Sequence, residues 1–219
     1  SNEYISSNLI SNTKVDKVRI DIKYVKDDNQ VDYNLLKLED ADFKNSTFKC
    51  ENNFFYCVRE QEKMSKSKFN VVNPDEICDK YGADTLRMYE MFLGPIEQSK
   101  PWDTRGISGV HSFLKKFWGL FFKDGLINVS EEDPSNKSLK SLHKTIKKIT
   151  EDIEKLSLNT CISSFMICIN ELSSMNCNNR EILKDLLILI SPFAPHFAEE
   201  LWNQLGNKES IVDQVYPSI

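Results

Sequence analysis

Hydrophobic residues recur every three or four positions through most of the second half of the chain. The clearest stretch runs from Leu139 to Leu156, where the apolar positions are separated by steps of 3, 4, 3, 4 and 3. This spacing places them on one face of a helix and leaves the intervening lysines on the outer surface. Three further helical segments, at about 159–173, 180–190 and 195–205, come after short connections.

An aromatic-rich helix is predicted to precede them from Gly106 onward. Its apolar positions share the same period: Val110, Phe113, Leu114, Phe117, Trp118 and Phe121. Five helices joined by short connections predict an antiparallel bundle over residues 106–219. Two shorter helices are predicted before the bundle, one from about Pro74 to Tyr81 and one from Ala83 to Phe92, the second ended by Gly94-Pro95.

The pattern near the beginning of the chain is different. Residues 18–25 alternate apolar and charged side chains, and residues 54–58 form a short apolar run, so both are predicted to be strands. Residues 35–38 fit either a strand or a short helix. Phe43 and Phe48 are candidate anchors for this small unit.

The predicted fold class is therefore α+β and mainly α, with three parts. Residues 1–58 form a small β-rich part, residues 59–105 form a loop with the two short helices, and residues 106–219 form the helical bundle. The first part carries no histidine and no catalytic constellation, so we expect it to have a structural role.

Composition and charge exclude several functional classes. The net charge of −5 provides no overall attraction for nucleic acid, so such binding must come from local basic patches. The six cysteines form no C-x-x-C pair, which predicts no metal site, and their scattered positions favour a reducing, cytoplasmic setting. The longest apolar run, residues 186–190, is too short to cross a membrane.

One basic stretch is a candidate for chemistry. Residues 63–67 read Lys-Met-Ser-Lys-Ser, and Lys68 comes directly after them. Because no apolar period runs through them, they are predicted to form a loop whose cations and hydroxyls suit a polyanion. Glycine-rich phosphate loops and the common hydrolase motifs are absent from the sequence, and the three histidines are interpreted as structural.

The same five residues match the KMSKS motif of class I aminoacyl-tRNA synthetases. Residues 70–74 and 81–87 resemble the segments downstream of that motif in the Leu/Ile/Val group. Residues 91–95, 100–102 and 106–110 resemble the leucyl branch in particular. Residues 114–118 and 191–202 resemble the helical anticodon-binding domain of the group. The resemblance covers about residues 58–217.

This resemblance implies roles for individual residues. Lys63 and Lys66 would be catalytic contacts to ATP phosphates, with Lys66 stabilising the pyrophosphate that leaves as leucyl-adenylate forms. Met64, Ser65 and Ser67 would complete the ATP-binding loop, with Mg²⁺ expected in the full enzyme. The candidate contacts to tRNA(Leu) are Lys115, Lys116, Lys144, Lys147 and Lys148. Ser112 stands where the family usually has arginine, so one tRNA contact is expected to be missing.

Several parts of such an enzyme have no counterpart in the sequence. It contains no HIGH-type motif, editing domain or extra C-terminal domain. The chain is therefore expected to be a C-terminal fragment, or one subunit, of a leucine–tRNA ligase that lacks the N-terminal catalytic portion and is inactive alone. The alternatives are a stand-alone tRNA-binding module descended from a synthetase, or a fragment of an isoleucyl or valyl enzyme.

Overall fold

Two units make up the chain, Ser1–Asn73 and Pro74–Ile219, and each encloses its own buried apolar residues. The structure is a computed structural model that describes residues 2–11 and 14–219. The boundary falls between the basic loop and the two short helices, which sequence analysis placed together in one part.

Aromatic rings form much of the core of the first unit. Strands β1 (Glu3–Ile5) and β2 (Thr47–Lys49) pair in parallel and bring Tyr4 opposite Phe48. The Phe48 ring lies 5.3 Å from that of Tyr4 and 5.0 Å from that of Phe55. Phe43 is buried in the same cluster, so the predicted anchoring by Phe43 and Phe48 is confirmed.

The strand predicted over residues 18–25 is wrong. Residues 22–24 form a single 3₁₀ turn, and the Asp21 carboxylate accepts a hydrogen bond from the Lys23 N–H at 3.0 Å. Such a local bond satisfies a backbone donor that a strand would present to its neighbour. Only Val25 pairs in β fashion, with Val31.

The strand predicted over residues 54–58 is also wrong. Phe54 and Tyr56 each make one isolated bridge, to Glu51 and Gln30. Asn52 and Asn53 have φ of 49° and 68°, which turns the chain tightly just before this run. The ambiguous residues 35–38 belong to helix α1 (Tyr33–Glu39), where Asp32 caps the Leu35 N–H at 3.0 Å.

Helices dominate the second unit, as predicted. In chain order they are α2 (Pro74–Tyr81), α3 (Ala83–Phe92), α4 (Ile107–Trp118), α5 (Asn136–Glu154), α6 (Leu158–Ser174), α7 (Arg180–Ile190) and α8 (Pro195–Gln204). α5 packs mainly against α6, and α7 packs against both α5 and α8. The mainly α fold and the five helices of the bundle are confirmed.

Two apolar residues at the ends of helices are exposed. In α3 the buried face holds Thr85, Met88 and Tyr89, while Phe92 is 36% exposed. Leu156 was expected to end the apolar face of α5, but that helix stops at Glu154 and Leu156 adopts a left-handed φ of 54°. Both residues lie at helix ends, where periodicity is a weak guide to the terminus.

A small β-hairpin comes after α4 and was not predicted. Strands β3 (Phe122–Lys123) and β4 (Leu126–Ile127) are antiparallel. The two residues between them, Asp124 and Gly125, have φ of 52° and 79°. Positive φ at both positions is typical of a type I′ turn, for which Asp-Gly is a preferred sequence.

Buried thiols line the helical core. Cys161 and Cys168 on α6 are 0% and 1% exposed, as the apolar pattern predicted. Burial raises the pKa of the Cys161 thiol to about 11, so it remains protonated and unreactive near neutral pH. All six cysteines are free.

Asp84 connects α3 to the start of α8. One carboxylate oxygen accepts a hydrogen bond from the Phe197 N–H at 2.6 Å, and the other lies 2.9 Å from Nδ1 of His196. A carboxylate at this position satisfies a free N–H in the first turn of α8 and complements the positive end of the helix dipole. Asp84 is 8% exposed, although the His196 side chain that it contacts is largely exposed.

Replacing Asp84 with alanine is expected to destabilise the helical unit by about 1.5–3 kcal/mol, because the charged acceptor of a partly buried backbone N–H is lost. Chemical denaturation of the 219-residue chain, followed by circular dichroism, would measure the change. Asp79→Ala, at an exposed position on α2, is the matched control and should leave the midpoint almost unchanged. Equal midpoints for the two variants would contradict the assigned role of Asp84.

Candidate functional site

The basic loop has a defined backbone shape. Ser65 is extended, with φ −158° and ψ 151°, and residues 66–68 form a single 3₁₀ turn. The turn ends at Phe69, whose φ of 55° is left-handed. The loop therefore reverses direction within a few residues and presents side chains outward, consistent with the predicted absence of packing.

Asn70 holds the two arms of this turn together. Its Oδ1 accepts a hydrogen bond from the Ser65 N–H at 2.9 Å, and its Nδ2 donates to the Lys63 carbonyl at 3.4 Å. The Ser65 and Ser67 hydroxyls are 3.1 Å apart. In the sequence Asn70 stood out only as a flanking match. Its ability to bond nearby backbone groups was the available signal for a positioning role.

The three lysines of the loop differ in their surroundings. The Lys68 ammonium lies 3.4 Å from a carboxylate oxygen of Glu62. Lys63 and Lys66 are exposed, and across residues 2–11 and 14–219 neither forms an ion pair. Two cations separated by two residues are thus available to an anionic ligand, while the third is partly neutralised.

Glu62 is committed to another partner. Arg19 donates to both of its carboxylate oxygens, with Nη2 to Oε1 at 2.8 Å. This bidentate bond lowers the pKa of Glu62 to about 2, so the carboxylate remains charged at physiological pH. The Ile22 N–H also donates to the Phe69 carbonyl at 3.0 Å. These contacts leave no local pattern in the sequence, because residues 19–22 are distant in the chain from the loop.

Met64 is 44% exposed at the same turn. A thioether is flexible and weakly polar, so an exposed methionine can adapt its shape to a flat apolar surface. Together with Lys63, Lys66 and the paired hydroxyls, it gives the loop one apolar contact among several polar ones. The arrangement suits a ligand with phosphate groups and an aromatic base.

The five lysines predicted to contact RNA fall into two groups. Lys116 donates to Asn170 at 2.6 Å, and Lys148 is paired with Asp152 at 2.6 Å. Lys115, Lys144 and Lys147 are exposed and, within the described residues, form no ion pair.

Lys144 and Lys147 lie on a concave surface of α5. Lys140 and His143 line the same surface, together with Ile219 at the end of the chain. Ser112, where the family resemblance led us to expect arginine, is exposed on α4.

Metal clusters and membrane spans are absent from the part of the chain that the structure describes. No group of three or more His, Cys, Asp or Glu side chains there is arranged to hold a metal ion. No helix in that part is both long and apolar enough to cross a membrane.

Comparison with known proteins identifies the family. Residues 53–103 match the class I tRNA synthetases for I, L, M and V, and residues 136–219 match the anticodon-binding domain of tRNA ligase. The leucine–tRNA ligases of Christiangramia forsetii and Flavobacterium psychrophilum are each 54% identical over 99% of the chain. The chain belongs to the leucine–tRNA ligase family. It spans 22% and 23% of the length of those two relatives.

A solved structure supports the same assignment. It is described as the ternary complex of the Agrobacterium radiobacter K84 agnB2 LeuRS with tRNA and LeuAMS. It matches 72% of this chain and 22% of its own, with a TM-score of 0.63 and 28% identity. The predicted resemblance to the leucyl branch of class I synthetases is confirmed.

Proposed function

We propose that the chain is the part of a leucine–tRNA ligase that supplies the KMSKS loop of the adenylation site and a tRNA-binding helical bundle. The observation that carries this proposal is a pair of cations, Lys63 and Lys66, that form no ion pair within the described part of the chain and lie on a loop whose shape is held by Asn70. The family assignment supplies the substrates: ATP, leucine and tRNA(Leu). The setting we propose is the cytoplasm.

The residues present fit the triphosphate of ATP. Lys63 and Lys66 provide positive charge without competing carboxylates, and Ser65 and Ser67 provide hydroxyl donors. Met64 provides an apolar surface for the adenine ring. Mg²⁺ would accompany the phosphates in the complete enzyme.

Lys66 acts on the developing charge of the reaction. When the leucine carboxylate attacks the α-phosphorus, the bond to the bridging oxygen breaks and pyrophosphate leaves with additional negative charge. An ammonium group directed at the leaving oxygens stabilises that charge more in the transition state than in bound ATP. Lys63 holds the same phosphates, and Asn70 keeps the backbone of the loop in position for both.

The bundle binds tRNA(Leu) through its phosphate backbone. Lys115, Lys144 and Lys147 are the principal contacts because their ammonium groups are exposed and unpaired. Lys116 and Lys148 contribute less, since each already has a protein partner. A few local cations can bind the phosphates of tRNA even though the overall charge of the chain is −5.

Leucine-dependent exchange of pyrophosphate into ATP is the test. The complete ligase should catalyse this exchange with leucine in preference to isoleucine or valine, and should charge tRNA(Leu). The 219-residue chain alone should show no exchange, because it holds only one cationic loop of the site. Exchange by the isolated chain would contradict the proposal that the chain supplies only part of the adenylation site. Preference for isoleucine or valine would contradict the assignment of substrate.

A further inference from the structure

A cavity of about 420 Å³ opens on the helical unit, and none of the residues that line it belongs to the KMSKS loop. It lies between the start of α3, the middle of α4 and the start of α8. The residues that matter for its chemistry are Tyr81, His111, Lys115, Trp118, His196 and Phe197. Its volume falls within the range of about 300–1,000 Å³ that is typical of small-molecule pockets.

Aromatic rings form its walls, and their positions are fixed by neighbouring rings. Trp118 stacks on Phe122 at 5.0 Å with an interplanar angle of 11°, and meets Phe197 edge-on at 6.0 Å. Tyr81 packs edge-on against His111 at 5.6 Å. Rigid aromatic surfaces of this kind are the platforms on which unstacked bases bind.

The polar groups of the cavity favour an anion. Asp84 is the only carboxylate among the described residues that line it, and both its oxygens already accept hydrogen bonds, from His196 and from the Phe197 N–H. Lys115 is exposed at the cavity and forms no ion pair with any residue that the structure describes. The cavity therefore offers a free cation without a competing free carboxylate.

The histidines provide polar edges. Nδ1 of His196 is occupied by Asp84, and Nδ1 of His111 lies 3.4 Å from the Thr85 hydroxyl. In each ring the second nitrogen, Nε2, has no partner among the described residues. An imidazole nitrogen beside an aromatic wall can bond to the edge of a base that stacks there.

From these observations we propose that the cavity binds a single unstacked nucleotide of the tRNA. Its base contacts the Tyr81 and Trp118 rings, and its phosphate pairs with Lys115. This rests on the proposed function, because tRNA is what brings a nucleotide to the helical unit. It also gives Lys115 a defined partner, in contrast to a general electrostatic role on the bundle surface.

Binding of tRNA by variants of the complete ligase tests the cavity. Lys115→Ala should weaken tRNA affinity about 5- to 10-fold and reduce the salt dependence by about one phosphate contact. Tyr81→Leu should weaken it by about 5- to 150-fold, the range for loss of one base–aromatic stack. Lys208→Ala, at an exposed lysine that does not line the cavity, is the matched control and should bind like wild type.

Ultraviolet crosslinking distinguishes direct contact with the nucleotide from a purely structural role of the aromatic residues. Tyr81 or Trp118 should be recovered covalently attached to a tRNA nucleotide. Crosslinks confined to other peptides, with Lys115→Ala binding like Lys208→Ala, would overturn the proposal. Competition of the crosslink by excess free AMP would also overturn it, in favour of a free-nucleotide site. Pyrophosphate exchange by the wild-type ligase separates failure of this proposal from failure of the proposed function, because absence of that exchange would refute the proposed function itself.

Discussion

Replacing Lys66 with alanine in the complete ligase is expected to slow leucyl-adenylate formation about 30- to 900-fold, equivalent to roughly 2–4 kcal/mol of transition-state stabilisation. The reason is that Lys66 is exposed and has no ion-pair partner among the described residues, so its charge is available to the leaving pyrophosphate. The dissociation constant of ATP should change much less, because ground-state phosphates carry less charge at the bond that breaks. Single-turnover formation of the adenylate measures the rate directly.

Lys68→Ala is the matched control for this experiment. Lys68 lies in the same 3₁₀ turn but faces Glu62, so its removal should lower the adenylation rate by less than about tenfold. Lys66→Arg retains the charge and should recover part of the rate. If Lys66→Ala raised only the Michaelis constant for ATP, the lysine would contribute uniform binding and its transition-state role would be refuted.

The structure adds a physical reason for the order of residues in the loop. The lysine paired with Glu62 is the one outside the five-residue motif, and the two inside it are free. Arg19 keeps Glu62 ionised and directed at itself and Lys68, so this carboxylate does not neutralise Lys66. Asn70 then fixes the backbone on both sides of Met64, through the Lys63 carbonyl and the Ser65 N–H. Charge is thereby concentrated at two positions of the turn.

Little of this arrangement could be predicted from the sequence. The motif itself predicted an anion-binding loop because it lacks any apolar period and carries adjacent cations and hydroxyls. Which lysine is free depends on Arg19 and Glu62, which are 43 residues apart. A contact over such a separation is set by tertiary structure and leaves no local pattern.

The helices were predictable for a complementary reason. In α5 and α7 one apolar face packs against a neighbouring helix. Each turn therefore contributes apolar residues to that face, and the spacing of three and four residues is visible along the whole helix. Residues 18–25 also alternate clearly, yet Asp21 bonds locally and prevents a strand. At the hairpin around Asp124-Gly125 the strands form without a visible alternation. The turn sequence was informative, but strands of two residues are too short to show an apolar–polar alternation.

Phe117→Ala is expected to destabilise the helical unit by about 3–5 kcal/mol, the largest stability effect we predict. Phe117 is 0% exposed on α4, and its ring lies 5.8 Å from that of Phe121 and 5.5 Å from that of Phe197 on α8. Removing it deletes apolar contacts and leaves a cavity that the flanking rings fill only in part. Thermal or chemical unfolding of the 219-residue chain would show a loss of this size as a clearly lower midpoint.

Segment-resolved hydrogen exchange sharpens this test, because the chain contains two units with separate cores. Amides of α4 and α8 should lose protection in Phe117→Ala, since Phe117 on α4 packs against Phe197 on α8. Leu126→Ala, at a position 74% exposed on the hairpin of the same unit, should change stability by no more than about 0.5 kcal/mol. If both variants unfolded alike, the bundle would not depend on the α4–α8 aromatic contact, and the cavity bounded by Trp118 and Phe197 would lack the rigid walls on which its proposed nucleotide binding depends.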